Sequence, residues 1–292
     1  MDNVSKKNSV LKKIKAFAKA NSTASDQQDL LKFIDAFYAP FLPDDVMDEP
    51  IDGLFYVAQN MWQLAAKRRK NQAKVKVFNP KKHLHGWESD HTIIQIVNDD
   101  KPFLVDSITG MLSVTNKHSI HAMHHPLISF SRDNRGNRLE TVGASDFSND
   151  CNQAKASMKE SCIFIEIEKV KGAENLKAIE KEILAVLDDV HVAVKDWKAI
   201  IKKLKHAHDD LLARHGSLDE EIVDETAKFI KWVLADNFTL LGYREYYFEG
   251  DPLKATFTQD DKSGLGLLRD PSRQVLRTMD ETVAISDEIR DY

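Results

Sequence analysis

The stretch 92–109, Thr-Ile-Ile-Gln-Ile-Val-Asn-Asp-Asp-Lys-Pro-Phe-Leu-Val-Asp-Ser-Ile-Thr, decides the fold of this chain. Its apolar, β-branched beginning at 92–97 is typical of a strand, and the polar residues 98–101 are typical of a turn. Pro102 then suits the first position of a helix, where its missing N–H costs nothing. The stretch therefore predicts a strand, a turn and an amphipathic helix, and it contains no catalytic constellation.

The neighbouring sequence extends this pattern into a sheet. The strand at 92–98 is apolar on both faces, as expected of a central strand covered by helices. The helix after Pro102 carries a core stripe at i, i+4, i+7 and i+8, formed by Leu104, Ile108, Met111 and Leu112. Further strands are predicted at 74–78, 120–132 and 162–168, with a hairpin-like turn signal at 133–137. The order β-α-β-β matches the first four elements of a ferredoxin-like β-α-β-β-α-β unit.

The segment after this unit has two interpretations. Gly172 and Gly216 bracket 43 residues that contain neither Gly nor Pro. Apolar residues step through the segment by three and four, which predicts one long helix with a near-heptad seam of Ile179, Ile183, Leu187, Val190, Val194, Trp197, Ile201 and Leu204. The alternative makes Val190, Val192 and Val194 a short fourth strand, with Asp196 capping a separate helix. Without that strand, strand 92–98 has an unpaired edge, and we hypothesise that another segment or another subunit covers it.

Four regions are predicted along the chain. Residues 1–72 form a helical segment with a Pro-rich acidic break at 40–50, and Lys67-Arg68-Arg69-Lys70 is interpreted as its solvated basic end or as a patch for an anionic ligand. Residues 73–190 form the α+β domain, and 191–236 form a helical connector. Residues 237–292 begin a second α+β or β-rich domain, with strands at 237–246 and 274–277, and the chain is interpreted as a fragment.

Composition excludes several classes of function. The 292 residues are 42% hydrophobic and 30% charged with a net charge of −5, which describes a soluble globular protein and argues against nucleic acid as partner. Cys151 and Cys162 suggest neither a disulfide framework nor a zinc ribbon, so a reducing cytoplasm is expected. No signal peptide or apolar run of membrane-spanning length is apparent.

A collinear set of short motifs makes the chain resemble the N-terminal region of the large NAD-specific glutamate dehydrogenases of bacteria. The motifs are Val75-Lys76-Val77-Phe78-Asn79-Pro80, residues 85–92 (His-Gly-Trp-Glu-Ser-Asp-His-Thr), residues 96–107, His125-Pro126, Glu160-Ser161, Glu166-Ile167-Glu168, Asp196-Trp197, residues 229–232, residues 236–238, residues 241–244 and Gly264-Leu265-Gly266. They run from about residue 25 to 278 in family order.

The resemblance implies ACT-like domains in a much longer polypeptide whose catalytic and nicotinamide sites lie downstream. The parent reaction would convert L-glutamate, NAD and water to 2-oxoglutarate, ammonium and NADH. This stretch has no Gly-x-Gly-x-x-Gly fingerprint, so we expect no catalytic, NAD-binding or other cofactor residues in it. The expected role is regulation and homo-oligomer assembly beside the downstream catalytic domain of the same chain. An amino-acid-sensing ACT module is the first alternative and a histidine-cluster metal-binding protein the second.

Candidate sites follow from these expectations. The turn Asn98, Asp99, Asp100, Lys101, Pro102 and Phe103 lies where ACT domains bind amino acids, which makes it a candidate effector-binding turn. Phe103 stands where such domains carry glycine, and the two acids would repel a carboxylate, so a structural turn with a core phenylalanine is the other interpretation. Arg244 either contacts an anion or forms an outward-facing ion pair. The histidines His83, His85, His91, His118, His121, His124 and His125 lack a ligand spacing that predicts a metal site.

Overall fold

The computed structural model describes residues 3–115, 118–144, 157–213, 216, 219–249 and 256–273. It divides into two compact units, Met1–Leu187 and Asp188–Tyr292. The helices are α1 (Asn3–Asn21), α2 (Ala24–Tyr38), α3 (Asp44–Met47), α4 (Ile51–Leu64), α5 (Lys82–His85), α6 (Leu104–Gly110), α7 (Ala173–Ala213) and α8 (Glu220–Trp232). The strands are β1 (Lys74–Phe78), β2 (Thr92–Asp99), β3 (Ile120–His124), β4 (Leu127–Arg132), β5 (Arg138–Ala144), β6 (Ser157–Ile167), β7 (Gly242–Tyr243), β8 (Tyr246–Glu249), β9 (Thr256–Gln259) and β10 (Leu265–Gly266). The predicted α+β class is confirmed.

The first unit is built on one antiparallel sheet. Its strand order is β1-β2-β6-β4-β5, and β3 also pairs with β6. The strand predicted at 120–132 is interrupted at His125-Pro126, because proline has no N–H for the ladder; its carbonyl instead accepts from the Cys162 N–H at 2.9 Å. The turn at 133–137 does form a hairpin, but sequence analysis missed β5, its second strand.

The open edge of β2 is covered by β1. The register runs antiparallel from Lys74 opposite Val97 to Phe78 opposite Ile93. The hypothesis that another segment covers this edge is confirmed. The alternative fourth strand at 190–194 is wrong, since the helix α7 passes through it unbroken from Ala173 to Ala213. The place of a fourth strand in a ferredoxin-like sheet is thus taken by a strand that precedes the unit in sequence.

Both sides of the sheet are buried. The N-terminal helices cover the face that carries Ile93 and Val97, and an aromatic core forms there from Phe33, Phe37, Tyr38, Phe55 and Phe130. On the other face Ile94 and Ile96 are also fully buried. The predicted stripe is confirmed: Leu104 and Ile108 of α6, and Met111 and Leu112 directly after it, are all buried. Strand β2 is therefore covered on both faces, as its composition predicted.

The two outer strands of the sheet are capped by carboxylates. The Thr141 N–H of β5 donates to Asp29 of α2, and the Val77 N–H of β1 donates to Glu180 of α7 at 3.4 Å. An N–H bound to a side chain is not free to pair with a strand of another chain. The sheet edges are thus partly blocked against strand addition.

The second unit contains two small antiparallel sheets, β7 with β10 and β8 with β9. The strand predicted at 237–246 is reduced to β7 and the start of β8, and the one predicted at 274–277 lies outside the described residues, as does Cys151. The buried seam of α7 shifts in this unit to Ala193, Asp196 and Ile200, and Trp197 is 47% exposed. A straight helix of 3.6 residues per turn drifts away from a heptad pattern, so the predicted seam is correct only as far as Val190. Within the described ranges, no helix is both long and apolar enough to cross a membrane.

Candidate functional site

The turn after β2 differs from its sequence prediction at the helix start. Helix α6 begins at Leu104 rather than Pro102. Phe103 precedes it in the left-handed region, with φ +67°, a conformation that favours glycine. Its ring is 45% exposed, so the expectation of a core phenylalanine is wrong: Leu104, 1% exposed, is the first core residue of the helix. The backbone at position 103 thus has a conformation typical of glycine, although the residue there is phenylalanine.

Asp99 is bound from three sides. Arg68 Nη2 lies 2.7 Å from its Oδ1, the Asn71 N–H donates to Oδ2 at 2.7 Å, and Lys101 Nζ lies 3.7 Å from Oδ2. Burial raises the pKa of this carboxyl, but the Arg68 charge and the hydrogen bonds outweigh it and hold the pKa below its usual range. Asp99 therefore stays ionised, with its charge compensated inside the protein.

Arg68 links this turn to the middle of the sheet. Its Nε donates to Glu160 Oε2 at 2.8 Å, and Arg132 donates to both oxygens of Glu160 at 2.6 and 2.9 Å. Arg68 and Glu160 side chains are fully buried. The interpretation of residues 67–70 as a solvated helix end is therefore wrong for Arg68. Helix α4 already ends at Leu64, and the guanidinium turns inward because two buried carboxylates need a counter-charge.

Asp100 is held by the neighbouring strand. Its N–H donates to the Lys159 carbonyl at 3.3 Å, and Ser161 Oγ donates to its Oδ1 at 3.5 Å. His125 is close enough for the Asp100 charge to act on it; burial lowers the His125 pKa and Asp100 partly offsets this. The ring atom Nε2 of His125 is buried and has no hydrogen-bond partner in the described part of the chain.

Sequence analysis missed Arg68, Arg132, Glu160 and His125 as neighbours of the turn. The motifs Glu160-Ser161 and His125-Pro126 were present in the resemblance, but nothing in their spacing placed them beside residues 98–103. Of the predicted turn residues, Asn98 and Asp99 are buried and Phe103 is exposed.

The histidines separate into pairs with different partners. His91 and His121 stack at 4.3 Å between ring centroids, His124 stacks on Phe41 at 3.7 Å, and His118 Nδ1 lies 2.8 Å from Glu168. In the part of the chain that the structure describes, no three His, Cys, Asp or Glu side chains are grouped as metal ligands.

Arg244 lies in the second unit and is buried. It donates to Gln259 Oε1 and to the carbonyls of Leu268, Asp270 and Arg273, at 2.6 to 2.8 Å. The interpretation as an outward-facing ion pair is wrong, because the buried guanidinium donates its hydrogen bonds to uncharged oxygens of residues 259–273. Among the described residues, its Nε has no hydrogen-bond partner.

Comparison with known proteins identifies the family to which the first unit is similar. Residues 33–183 match the family described as "Glutamate dehydrogenase, ACT1 domain". The chain belongs to the glutamate dehydrogenase ACT1 domain family. The match runs from α2 through the sheet to the first turns of α7, so it includes β1, Arg68 and the turn at 98–103.

Longer relatives carry the similarity beyond that domain. The NAD-specific glutamate dehydrogenase of Halomonas elongata is 31% identical over 261 residues, which are 89% of this chain and 16% of the relative. The enzyme of the same name from Pseudomonas aeruginosa is 30% identical over 237 residues, 81% of this chain and 14% of the relative. The chain thus spans about a sixth of the length of these relatives, and the expected resemblance to this N-terminal region is confirmed.

Proposed function

We propose that this chain is a non-catalytic regulatory and assembly region of a large NAD-specific glutamate dehydrogenase. The polypeptide as a whole would oxidise L-glutamate to 2-oxoglutarate and ammonium and reduce NAD. NAD would bind to a catalytic part outside this chain. The proposed partners are further copies of the same polypeptide and its own downstream domain, and the proposed compartment is the cytoplasm.

One observation carries the proposal: the ACT1 match covers most of the first unit, while the whole chain spans only 16% and 14% of two NAD-specific relatives. The geometry of the turn is consistent with it. Arg68, Asp99 and Glu160 bind one another, which suits a rigid structural element better than groups that must reach a substrate.

Point variants in the full-length polypeptide test the non-catalytic assignment. We expect Asp100→Asn and Arg244→Ala to leave kcat for glutamate-dependent NAD reduction unchanged wherever light scattering shows the wild-type mass. Complete loss of activity in a variant of wild-type mass would contradict the proposal, because a regulatory contact changes the rate whereas a catalytic group is required for the reaction. Deletion of residues 1–292 tests assembly, and we expect the particle mass to fall. An unchanged mass would remove the assembly role.

An amino-acid sensor is the second candidate, favoured by the compensated charge of Asp99. Because Arg68 neutralises that carboxylate, only Asp100 remains to repel the carboxylate of an effector. Calorimetry of the full-length polypeptide against each common amino acid separates the candidates. A binding heat with one amino acid that is lost in Phe103→Trp, a substitution at an exposed position, supports a sensor at this turn. Absence of binding heat with every amino acid eliminates the sensor.

A further inference from the structure

A cavity lies in the first unit at the other end of β2 from the turn. It has a volume of about 520 Å³ and is lined by residues of α3, α4, the connector 82–89 and the sheet. Its lining includes His91, which precedes the first residue of β2, and Phe164, which pairs with Gln95 in the middle of that strand, whereas the turn begins at Asn98. At about 3.4 Å per residue, Asn98 lies about 10 Å along the strand from Gln95 and about 24 Å from His91. The cavity is in the size range of small-molecule sites and is separate from the proposed effector turn.

The charges on its wall are strongly unequal. One lysine, Lys82, faces six carboxylates: Asp44, Asp45, Glu49, Asp52, Glu88 and Glu166. His124 of the wall adds little positive charge at neutral pH, since burial lowers its pKa and Asp45 only partly offsets this. An anionic ligand would be repelled from this cavity, and a cation would be attracted.

Two of the carboxylates act on each other. Burial raises the pKa of Glu166; His91, 3.3 Å away, opposes the shift, and the charge of Glu49 adds to it. Burial is also the main cause of the raised pKa of Tyr38, and the charge of Glu49 adds to it. Glu49 and Glu166 both line the cavity, and a cation placed between them would relieve the repulsion between their charges.

Aromatic residues form another part of the wall. Tyr38, Phe41, Trp87 and Phe164 are among the lining residues, and Trp87 is the most exposed of the four. Ammonium and guanidinium groups bind favourably over aromatic faces, while their aliphatic stems remain in apolar contact. Carboxylates together with aromatic rings suit a cation that is organic and partly apolar.

A bare metal ion fits this wall less well. It needs several oxygen or nitrogen ligands within about 2.5 Å of one point. Across residues 3–115, 118–144 and 157–187, no three His, Cys, Asp or Glu side chains are grouped in that way. Carboxylates spread around a cavity match a ligand whose positive charges are themselves spread along a chain.

We propose that this cavity binds a small aliphatic polyamine, with Glu49 and Glu166 receiving its ammonium groups and the aromatic wall receiving its methylene chain. The site would make the region responsive to an organic cation. It goes beyond the proposed function and does not depend on it.

Titration calorimetry of the full chain tests the proposal, with spermidine and putrescine as probes and Mg²⁺ as the competing inorganic cation. We expect spermidine to bind with 1:1 stoichiometry, more tightly than putrescine and more weakly as salt rises. Glu49→Gln and Glu166→Gln should each weaken binding about tenfold. Glu174→Gln removes the same charge from an exposed side chain outside the cavity and should leave affinity unchanged. Thermal melting of each variant verifies folding, and the exposed Glu49 keeps the test valid if Glu166→Gln does not fold.

Three outcomes overturn the proposal. Absence of spermidine heat at low salt excludes the site. Equal weakening by Glu174→Gln and Glu49→Gln shows only a general attraction of the negative surface. Stoichiometric Mg²⁺ binding that displaces spermidine and is lost in Glu49→Gln assigns the cavity to a metal ion instead.

Discussion

Replacing Arg68 by methionine should destabilise the first unit strongly, although the residue lies in a run of four basic residues. Methionine keeps most of the length and the apolar stem of the side chain but removes the guanidinium. The side chain is fully buried, and its donors bind Glu160 at 2.8 Å and Asp99 at 2.7 Å. The substitution therefore leaves two carboxylates without a partner that reaches both.

The magnitude follows from which partners remain. Breaking a buried ion pair by removing one member costs about 3 to 5 kcal/mol. Arg132 would still hold Glu160 through two hydrogen bonds, and Asp99 would keep the Asn71 N–H. The cost should therefore lie near the lower end, at about 3 kcal/mol. With a urea m-value of about 2 to 3 kcal/mol/M, this lowers the unfolding midpoint by about 1 to 1.5 M.

Urea unfolding followed by tryptophan fluorescence measures this cost. Trp62 and Trp87 lie in the first unit and are partly buried, whereas Trp197 and Trp232 lie in the second and are about half exposed. Trp197 and Trp232 are therefore replaced by phenylalanine in every protein compared, so that tryptophan fluorescence reports the first unit alone. This matters because a chain with two units need not unfold in one step.

Lys67→Met is the matched control, since it removes one positive charge from the exposed neighbouring side chain. We expect it to change stability by less than about 0.5 kcal/mol. In a double-mutant cycle with Asp99→Asn, Arg68 should show a coupling energy of about 2 kcal/mol. If Arg68→Met costs no more than Lys67→Met, the reasoning about a buried counter-charge is refuted.

Three further predictions concern backbone strain and pH. Phe103→Gly should raise the free energy of unfolding relative to Phe103→Ala by about 1 kcal/mol, because glycine adopts a φ of +67° without strain; equal urea midpoints would contradict this. Gly136→Ala should destabilise by about 2 kcal/mol or more, since its φ is +86° and a Cβ would lie 2.5 Å from the Arg68 carbonyl; an unchanged melting temperature would show that this loop can shift. Burial lowers the pKa of His125, so the folded state prefers its neutral form, and its contribution to stability should be lost as pH falls below about 6.5; the fall in melting temperature from pH 7.5 to 5.5 should shrink in His125→Gln, and equal falls would refute this.

The sequence predicted those parts of the fold that local periodicity determines. Strand β2, the stripe of α6 and the first half of the α7 seam all bury the residues that their patterns indicated. The break at Pro126 could have been predicted as well, because proline cannot donate to a central ladder. Strand β5 was missed because its sequence, Arg-Leu-Glu-Thr-Val-Gly-Ala, alternates weakly and follows a polar turn.

Local sequence patterns could not predict which residues surround the candidate turn. Arg68 lies 31 residues before Asp99 and 92 before Glu160, and no periodicity connects such positions. In sequence, Arg68 is one of four adjacent basic residues, and only the buried carboxylates distinguish it from its neighbours. Arg244 was misjudged for a related reason: three of its four acceptors are backbone carbonyls, which carry no signature in the sequence.

The segment that precedes the β-α-β-β pattern supplies two things that the sheet needs. The β-α-β-β pattern alone lacks a strand beside β2 and a cation that binds both Asp99 and Glu160. Both come from residues before it, the first from β1 and the second from Arg68. An unpaired β2 edge and the loss of the cation shared by two buried carboxylates would each be costly, so the segment that supplies β1 and Arg68 belongs physically to the sheet. The family match begins at residue 33 and therefore includes both contributions.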